Sequence, residues 1–307
     1  MNRLKFLLSM VVLLIAVSCD KDNNLRPKEY TWISSNKVPY FDAISRFKIA
    51  DGKSLFISGV INGTVGIYKL ENNDWTRLVE TSAIGFADDF IIYNDVLYYG
   101  SYYGLFRVVN SISEKITIND AHVIAMEVYK DKLYITGELP VGDNYYPLVS
   151  FDGSNFSPAS EYYSGYALKV ANDKLYISNY PVVEYSNIDS QYLNYFGGQS
   201  NIAHDKNGDL FISGISSNDK NETFSVIQKY SNGKSFVLGD TIKGSIDNVQ
   251  SYNNTIIVTG FGVCYYYENN KWLKIDLPEN FGDVILYENK IIGSPLISGK
   301  AFELQLK

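Results

Sequence analysis

The side chains that carry most nucleophilic and metal chemistry are scarce in this sequence. The 307 residues include only two His and two Cys, which leaves little material for a thiol mechanism or a transition-metal site. His122 and His204 are far apart, and no Ser–His–Asp or Cys–His arrangement follows from their spacing. Cys264 falls within GVCYYY, where we expect a small buried hydrophobic side chain. We therefore predict no catalytic residue and no cofactor.

One acidic segment has a spacing that suits a divalent cation. The segment 205–209 reads DKNGD, and its alternating oxygen side chains are similar to the calcium loop of the EF-hand. That loop needs a glycine after the third ligand and a glutamate at its last position, whereas this chain has Leu210 and Ser216 there. The segment lies between two strand-like runs, so a hairpin turn is the stronger interpretation. No metal site is predicted.

Tyrosine is the chemically useful side chain that this sequence supplies in quantity, with 26 copies. A tyrosine ring offers a flat apolar area and a hydrogen-bonding hydroxyl, which suits stacking on sugars or anchoring a protein partner. The alternative role for each ring is packing in the interior. The candidate ligand-binding residues are Tyr102, Tyr103, Tyr145, Tyr162, Tyr163, Tyr180, Tyr195, Phe196 and Phe261.

A repeated phrase predicts the elements that position these rings. Short strand-forming runs, most of them ending in glycine, recur about every 40 residues, a period typical of a β-propeller with one four-stranded blade per repeat. The seven copies are SLFISG at 54–59, DVLYYG at 95–100, KLYITG at 132–137, KLYISN at 174–179, DLFISG at 209–214, TIIVTG at 255–260 and KIIGSP at 290–295. We predict an all-β, seven-bladed propeller of antiparallel blades that forms a single domain over residues 30–307.

The strands of each blade are termed A to D from the axis outward, and the repeated phrase is strand B. In such a fold the B–C and D–A loops share one face, here termed the loop face, and the A–B and C–D turns share the other, the turn face. The candidate aromatic residues fall on the loop face. The seventh blade lacks a strand D of its own, and Tyr30–Ser35 at the start of the domain is predicted to supply it. Trp32, Trp75 and Trp272 would then occupy equivalent positions in three D strands.

The N-terminal residues predict export. Arg3 and Lys5 precede a short apolar run that is too brief to span a bilayer and fits a signal peptide over residues 1–18. The sequence Ala16-Val17-Ser18-Cys19 resembles the lipobox of bacterial lipoproteins, and this resemblance implies lipid attachment at Cys19. The alternative is an ordinary secretory signal followed by an incidental cysteine. Residues 19–29 are polar, have no apolar periodicity and are predicted to form a lipidated tether.

The charge balance narrows the set of partners. The formal net charge is -7, so binding to a nucleic acid backbone is not expected. Asp20 and Asp22 follow the predicted lipidation site and resemble the surface-export signal of Bacteroidota-type lipoproteins. The chain as a whole resembles propeller lipoproteins of Bacteroidota-type outer membranes. This resemblance implies a lipid anchor in the outer membrane, with exposure at the cell surface, and implies no particular activity.

Three functional hypotheses follow. The first is a non-catalytic binding or scaffold protein that engages a glycan or a protein through the aromatic residues of the loop face. The second is an enzyme acting on extracellular polysaccharide, a lyase or a hydrolase, which needs acidic residues or a Tyr with a basic partner at the channel mouth. The third is a structural subunit of an envelope complex. An aromatic platform favours the first hypothesis, and a dense carboxylate cluster favours the second.

Overall fold

The computed structural model describes residues 30–36, 38, 41–72, 74–117, 121–163, 165–179, 182–186, 191–193, 201–205, 207–217, 222–252, 255–260, 262–295 and 299–306. Its regular elements are all β-strands. Within those ranges there is no helix long and apolar enough to cross a membrane. The predicted signal peptide, the tether and Cys19 lie outside the described residues.

The strands form seven small antiparallel sheets. The inner A strands are β2 (Ala43–Lys48), β6 (Asp89–Tyr93), β10 (His122–Tyr129), β14 (Ala167–Ala171), β18 (Asn201–His204), β23 (Asn248–Tyr252) and β27 (Phe281–Tyr287). The B strands, which contain the repeated phrase, are β3 (Phe56–Ile61), β7 (Val96–Ser101), β11 (Lys132–Val141), β15 (Lys174–Ser178), β19 (Leu210–Ser217), β24 (Thr255–Gly260) and β28 (Lys290–Pro295).

The outer half of each sheet follows the same order. The C strands are β4 (Thr64–Glu71), β8 (Gly104–Val109), β12 (Asn144–Phe151), β16 (Val183–Tyr185), β20 (Thr223–Ser231), β25 (Val263–Glu268) and β29 (Phe302–Leu306). The D strands are β5 (Asp74–Glu80), β9 (Ile112–Lys115), β13 (Phe156–Ser160), β17 (Gln191–Tyr192), β21 (Lys234–Val237), β26 (Lys271–Lys274) and β1 (Tyr30–Ser34). The fifth sheet has an additional short strand, β22 (Ile242–Lys243), which pairs with β20.

The inner strands contact one another in chain order, and β27 returns to contact β2, so the seven blades form a closed circle. The N-terminal strand completes the last blade: Tyr30 pairs with Leu306 and Ser34 with Phe302. This pairing confirms the predicted closure. It also places Trp32 in a D strand, as Trp75 and Trp272 are in theirs, because the first strand of the domain is the last strand of the seventh sheet.

The hydrophobic core lies between the blades. Among the described residues it consists of seven clusters, and each cluster joins one pair of consecutive blades. Strand B contributes side chains to both faces of its sheet, which explains its near-continuous apolar sequence. Cys264 is fully buried in the cluster between blades six and seven, and burial raises the pKa of its thiol. The expectation of a buried, hydrophobic cysteine is thus confirmed.

The end of the repeated phrase is explained by contacts between blades. The Ser58 hydroxyl accepts a hydrogen bond from the Ala87 amide of the next blade at 3.1 Å. The Thr136 hydroxyl donates to the Gly165 carbonyl, again in the segment that enters the next blade, at 2.7 Å. At the glycine position, a Cβ added to Gly100 would lie 2.1 Å from Val123 Cγ1. A small polar residue followed by glycine therefore lets consecutive blades approach closely.

The turn face is built from tight two-residue turns. Both central residues have positive φ in the pairs Asn94 and Asp95, Lys130 and Asp131, and Asn172 and Asp173. These are the angles of type I′ hairpins, which suit the twist of the flanking strands and favour Asn and Asp. The A–B turns are consequently set by backbone geometry.

Candidate functional site

Among the described residues, the exposed aromatic side chains of the loop face lie between blades one and four. These six side chains are in B–C or D–A loops, and we call this set the aromatic arc. No other aromatic side chain among the described residues of the loop face is as exposed. The members of the arc are Phe86, Tyr102, Tyr103, Tyr145, Tyr162 and Tyr166.

The B–C loop of blade two presents a pair of tyrosines. Tyr102 is 68% exposed, and its ring lies 5.7 Å from that of Tyr103 in an edge-to-face arrangement. The Tyr103 amide donates to the Ser101 hydroxyl at 3.0 Å, and Ser101 is itself buried. A buried polar side chain therefore fixes the loop that carries both rings.

Tyr102 also contacts the first residue of the next blade. The ring of His122 lies 5.3 Å from the Tyr102 ring, and His122 Nε2 is 3.9 Å from Asp88 Oδ2. Burial raises the pKa of Asp88, an effect that His122 and Arg46 oppose. The three side chains lie together between blades two and three, and we call this group the first notch.

Blade three carries the next exposed ring on a raised hairpin. Strand β11 continues past Gly137 to Val141, and Pro140 pairs with Tyr145 on the returning strand. Tyr145 is 58% exposed near the tip of this hairpin. The paired backbone supports the ring, so its position is set by a sheet and not by a free loop.

The segment entering blade four carries three tyrosines with different surroundings. Tyr162 is 83% exposed, whereas Tyr163 is half-buried and packs against the cluster between blades three and four. The Ser160 hydroxyl accepts hydrogen bonds from both amides at 3.1 Å. Tyr166 is exposed and lines the mouth of the central channel. The aromatic arc thus extends from the outer loops to the channel.

Several candidate residues lie outside the described residues, namely Cys19, Tyr180, Tyr195, Phe196 and Phe261. Sequence reasoning did not identify Phe86 and Tyr166 as surface rings. Both are in segments that lead into an A strand, since β6 begins at Asp89 and β14 at Ala167, and that position was the available signal.

The acidic segments of the arc determine its electrostatics. The described segments 81–88, 101–104, 138–145, 161–163 and 165–166 contain no Lys or Arg. Four carboxylates lie in them, on Asp88, Glu138, Asp143 and Glu161. These carboxylates lie beside the aromatic rings, and two cations from neighbouring strands are close to them, Lys115 beside Gly104 and Arg46 near Asp88.

A cavity of about 1210 Å³ runs along the axis between the inner strands of all seven blades. Asp89 lines it and accepts hydrogen bonds from Lys48 Nζ at 2.8 Å and from the Met126 amide at 2.6 Å. Lys48 also donates to the Met126 carbonyl at 3.0 Å. These contacts join blades one, two and three, so this carboxylate has a structural role.

A second channel carboxylate connects the last blade to the first. Asp283 in blade seven accepts a hydrogen bond from the Phe47 amide in blade one at 2.6 Å and from the Val284 amide at 2.9 Å. Burial raises the pKa of Asp283, while Arg46 and these two amides oppose the rise. Sequence reasoning missed both channel carboxylates; an acidic residue at or near the start of an A strand was the signal.

The turn that contains Asp205 and Asp209 is held by hydrogen bonds within the turn. Asp205 Oδ1 accepts hydrogen bonds from the amides of Asn207 at 2.8 Å and Asp209 at 3.0 Å. Asp209 pairs with Lys229 at 2.6 Å. These bonds are those of a hairpin turn. Across the described residues there is no group of three or more His, Cys, Asp or Glu side chains arranged to hold a metal ion.

Comparison with known proteins adds information on the fold. No protein-family model matches the sequence, and no curated protein matches it. Among solved structures, the extracellular domain of a protein described as a one-component system of B. thetaiotaomicron is similar over 90% of this chain, with a TM-score of 0.64 and 12% identity. The chain spans 39% of the length of that domain.

Two further structures are similar over most of both chains. The computationally designed Ika8 protein has a TM-score of 0.52 and 10% identity, with 89% of this chain and 98% of that chain covered. BamB from Moraxella catarrhalis has a TM-score of 0.50 and 8% identity, with 90% and 97% covered. At such identities these likenesses concern the fold alone.

Proposed function

We propose that this protein is a lipid-anchored binding protein of the cell envelope that holds a glycan or protein ligand on its aromatic arc. The observation that carries the proposal is the set of exposed tyrosines on the loops of consecutive blades, with Tyr102, Tyr145 and Tyr162 each more than half exposed. Exposed rings beside polar groups are typical of ligand-binding surfaces.

The support for this proposal comes from how the rings are held. Tyr102, Tyr103 and Tyr162 are in loops fixed by buried or half-buried serine hydroxyls, and Tyr145 is on a paired hairpin. A ring that is already positioned loses little conformational entropy when a ligand binds. The arc is therefore preorganised for binding.

The direction of the tether also supports a binding role. Tyr30 pairs with Leu306 at the end of the last blade that borders the turn face, opposite the aromatic arc. A random-coil chain as long as the predicted tether, residues 19–29, has a root-mean-square reach of roughly 18 Å. A lipid at Cys19 would hold the turn face toward the membrane and direct the arc away from it.

Location at the outer face of the outer membrane is part of the proposal. Its supports are the lipobox-like Ala16–Cys19, the acidic residues Asp20 and Asp22 that follow it, and the extracellular character of the similar B. thetaiotaomicron domain. Catalysis is less well supported, because the channel carboxylates Asp89 and Asp283 are occupied by backbone amides and Lys48.

The test is a glycan array and a pull-down of envelope proteins with the purified chain, beside Tyr102→Ala and Tyr162→Ala. We expect both variants to lose most of the binding that the wild-type chain shows. The matched control is Ile112→Ala, since Ile112 is 66% exposed at the start of strand β9, next to a C–D turn on the opposite face. Binding that both tyrosine variants retain would refute the proposal.

A further inference from the structure

The aromatic arc repeats a similar arrangement on two consecutive blades. In the first notch, Tyr102 of the blade-two B–C loop faces His122, where the chain enters blade three. The equivalent position one blade further on is here termed the second notch. Tyr145 is on its blade-three B–C hairpin, and Tyr162 and Tyr166 are in the segment that enters blade four. Each notch thus has an aromatic ring on its B–C side and another on its D–A side.

The spacing of the notches follows from the packing of the blades. Sheets that pack face to face are separated by about 10 Å, so equivalent positions on consecutive blades are separated by at least about that distance. One sugar ring or one amino-acid side chain cannot fill both notches. A chain of covalently linked, repeating units can present the same chemical group to each.

The charged groups of the arc restrict the charge of that chain. Asp88 stands behind His122 in the first notch, and the exposed Glu138 pairs across the sheet with His122. Two cations lie near these carboxylates: Lys115 is beside the blade-two B–C loop, and Arg46 opposes the rise that burial causes in the pKa of Asp88. The arc therefore carries charges of both signs, which favours an uncharged chain over an anionic or a cationic one. Carboxylates and tyrosine hydroxyls suit the hydroxyl groups of a neutral sugar.

The distribution of the rings favours a sugar over a protein surface. A stable protein interface needs a contiguous patch of about 800 Å² on each partner with an apolar centre. Here the exposed rings are separated by acidic and polar residues such as Asp143, Asn144 and Glu161, all of them exposed. Tyr102 contacts Tyr103 and His122, but polar residues separate this small group from the rings of the next blade. Small aromatic groups separated by polar residues suit a narrow, flexible chain that contacts them one after another.

We infer that the aromatic arc binds a neutral oligosaccharide long enough to occupy both notches at once. The inference rests on the proposed binding function and names its ligand class. Two weak subsites joined by one ligand chain act together, because the second contact is made at a high effective concentration. Affinity should therefore depend steeply on oligosaccharide length.

The experiment is calorimetric titration of the purified full chain with neutral gluco-, xylo- and manno-oligosaccharides, from disaccharides to octasaccharides. Oligogalacturonates serve as the anionic probe and oligolysine as the cationic probe. We expect one neutral series to gain about tenfold or more in affinity once the chain spans both notches. Tyr102→Ala and Tyr145→Ala should each remove that gain, because each variant leaves only one of the two notches able to contact the ligand.

The control variant is Phe236→Ala, whose ring is 51% exposed on the outer strand of blade five, and its length dependence should match that of the wild-type chain. Affinity that does not depend on length would overturn the two-notch inference and leave the proposed function standing. Preference for oligogalacturonate or oligolysine, or binding to none of the neutral series, would overturn the ligand class. If Tyr102→Ala and Tyr145→Ala kept the length dependence of the wild-type chain, this result would overturn the two-notch inference and the proposed role of the aromatic arc.

Discussion

The turn face and the loop face of the propeller are connected by the same strands, yet they differ in what determines their sequences. On the turn face, pairs such as Asn94 and Asp95 both have positive φ, and the residue type follows from the backbone. On the loop face, Tyr102 and Tyr162 are largely exposed, and nothing in the backbone requires an aromatic residue there. Backbone geometry therefore does not constrain the residue types of the loop face, so its side chains can serve in recognition.

The largest predicted effect concerns the closure on which the two faces depend. Trp32 is buried at 9% exposure and packs edge-to-face on Phe281 at 4.6 Å. We expect Trp32→Ala to lower the free energy of unfolding by about 3–5 kcal/mol, since it leaves a cavity between blades six and seven. Denaturant titration followed by tyrosine fluorescence measures this loss.

The matched control for closure is the next residue of the same strand. Ile33 is 38% exposed, so Ile33→Ala should change the free energy of unfolding by about 1 kcal/mol or less. If the two variants lost the same free energy of unfolding, the Trp32 side chain would not be the contact that holds the N-terminal strand against the last blade. The assignment of loops to two faces would then lose its basis.

Much of the fold could be predicted because its signals are local and repeated. Variants of one phrase mark strand B in each blade. In the two copies that end in Ser58-Gly59 and Thr136-Gly137, the hydroxyl forms a hydrogen bond to the next blade. The contribution of Trp32 to the last blade followed from counting D strands. What sequence did not reveal was the pairing of Asp283 with the Phe47 amide, which joins residues from opposite ends of the chain.

The site was less predictable, because exposure depends on neighbours that are distant in sequence. Tyr162 and Tyr163 are adjacent and chemically identical, and only one of them packs against the core. His122 gained its place beside Tyr102 from the contact between two blades. Periodicity can assign a residue to a face, but it cannot determine which way a loop side chain turns.

A smaller effect is expected from changing the turn face itself. Asp131 has φ of 58° in a two-residue turn, a conformation that costs a β-branched residue about 1–2 kcal/mol. Asp131→Val should therefore lower the free energy of unfolding by about that amount, whereas Asp131→Gly should not lower it. Neither variant should change ligand binding. A binding defect in Asp131→Gly would show that the turn face also takes part in recognition.

The smallest effect on stability is expected at the most exposed ring. Tyr162 is 83% exposed, so Tyr162→Ala should change the free energy of unfolding by about 0.5 kcal/mol or less, while ligand binding falls. Its neighbour supplies the matched contrast, because Tyr163 packs against the cluster that contains Leu148 and Leu168. Tyr163→Ala should lower stability by about 2 kcal/mol. Measuring the free energy of unfolding and the ligand affinity of both variants distinguishes a side chain that packs in the core from one that contacts a ligand.

If Tyr162→Ala destabilised the protein as much as Tyr163→Ala, the Tyr162 ring would belong to the core. The loop face would then lose its most exposed candidate for ligand binding.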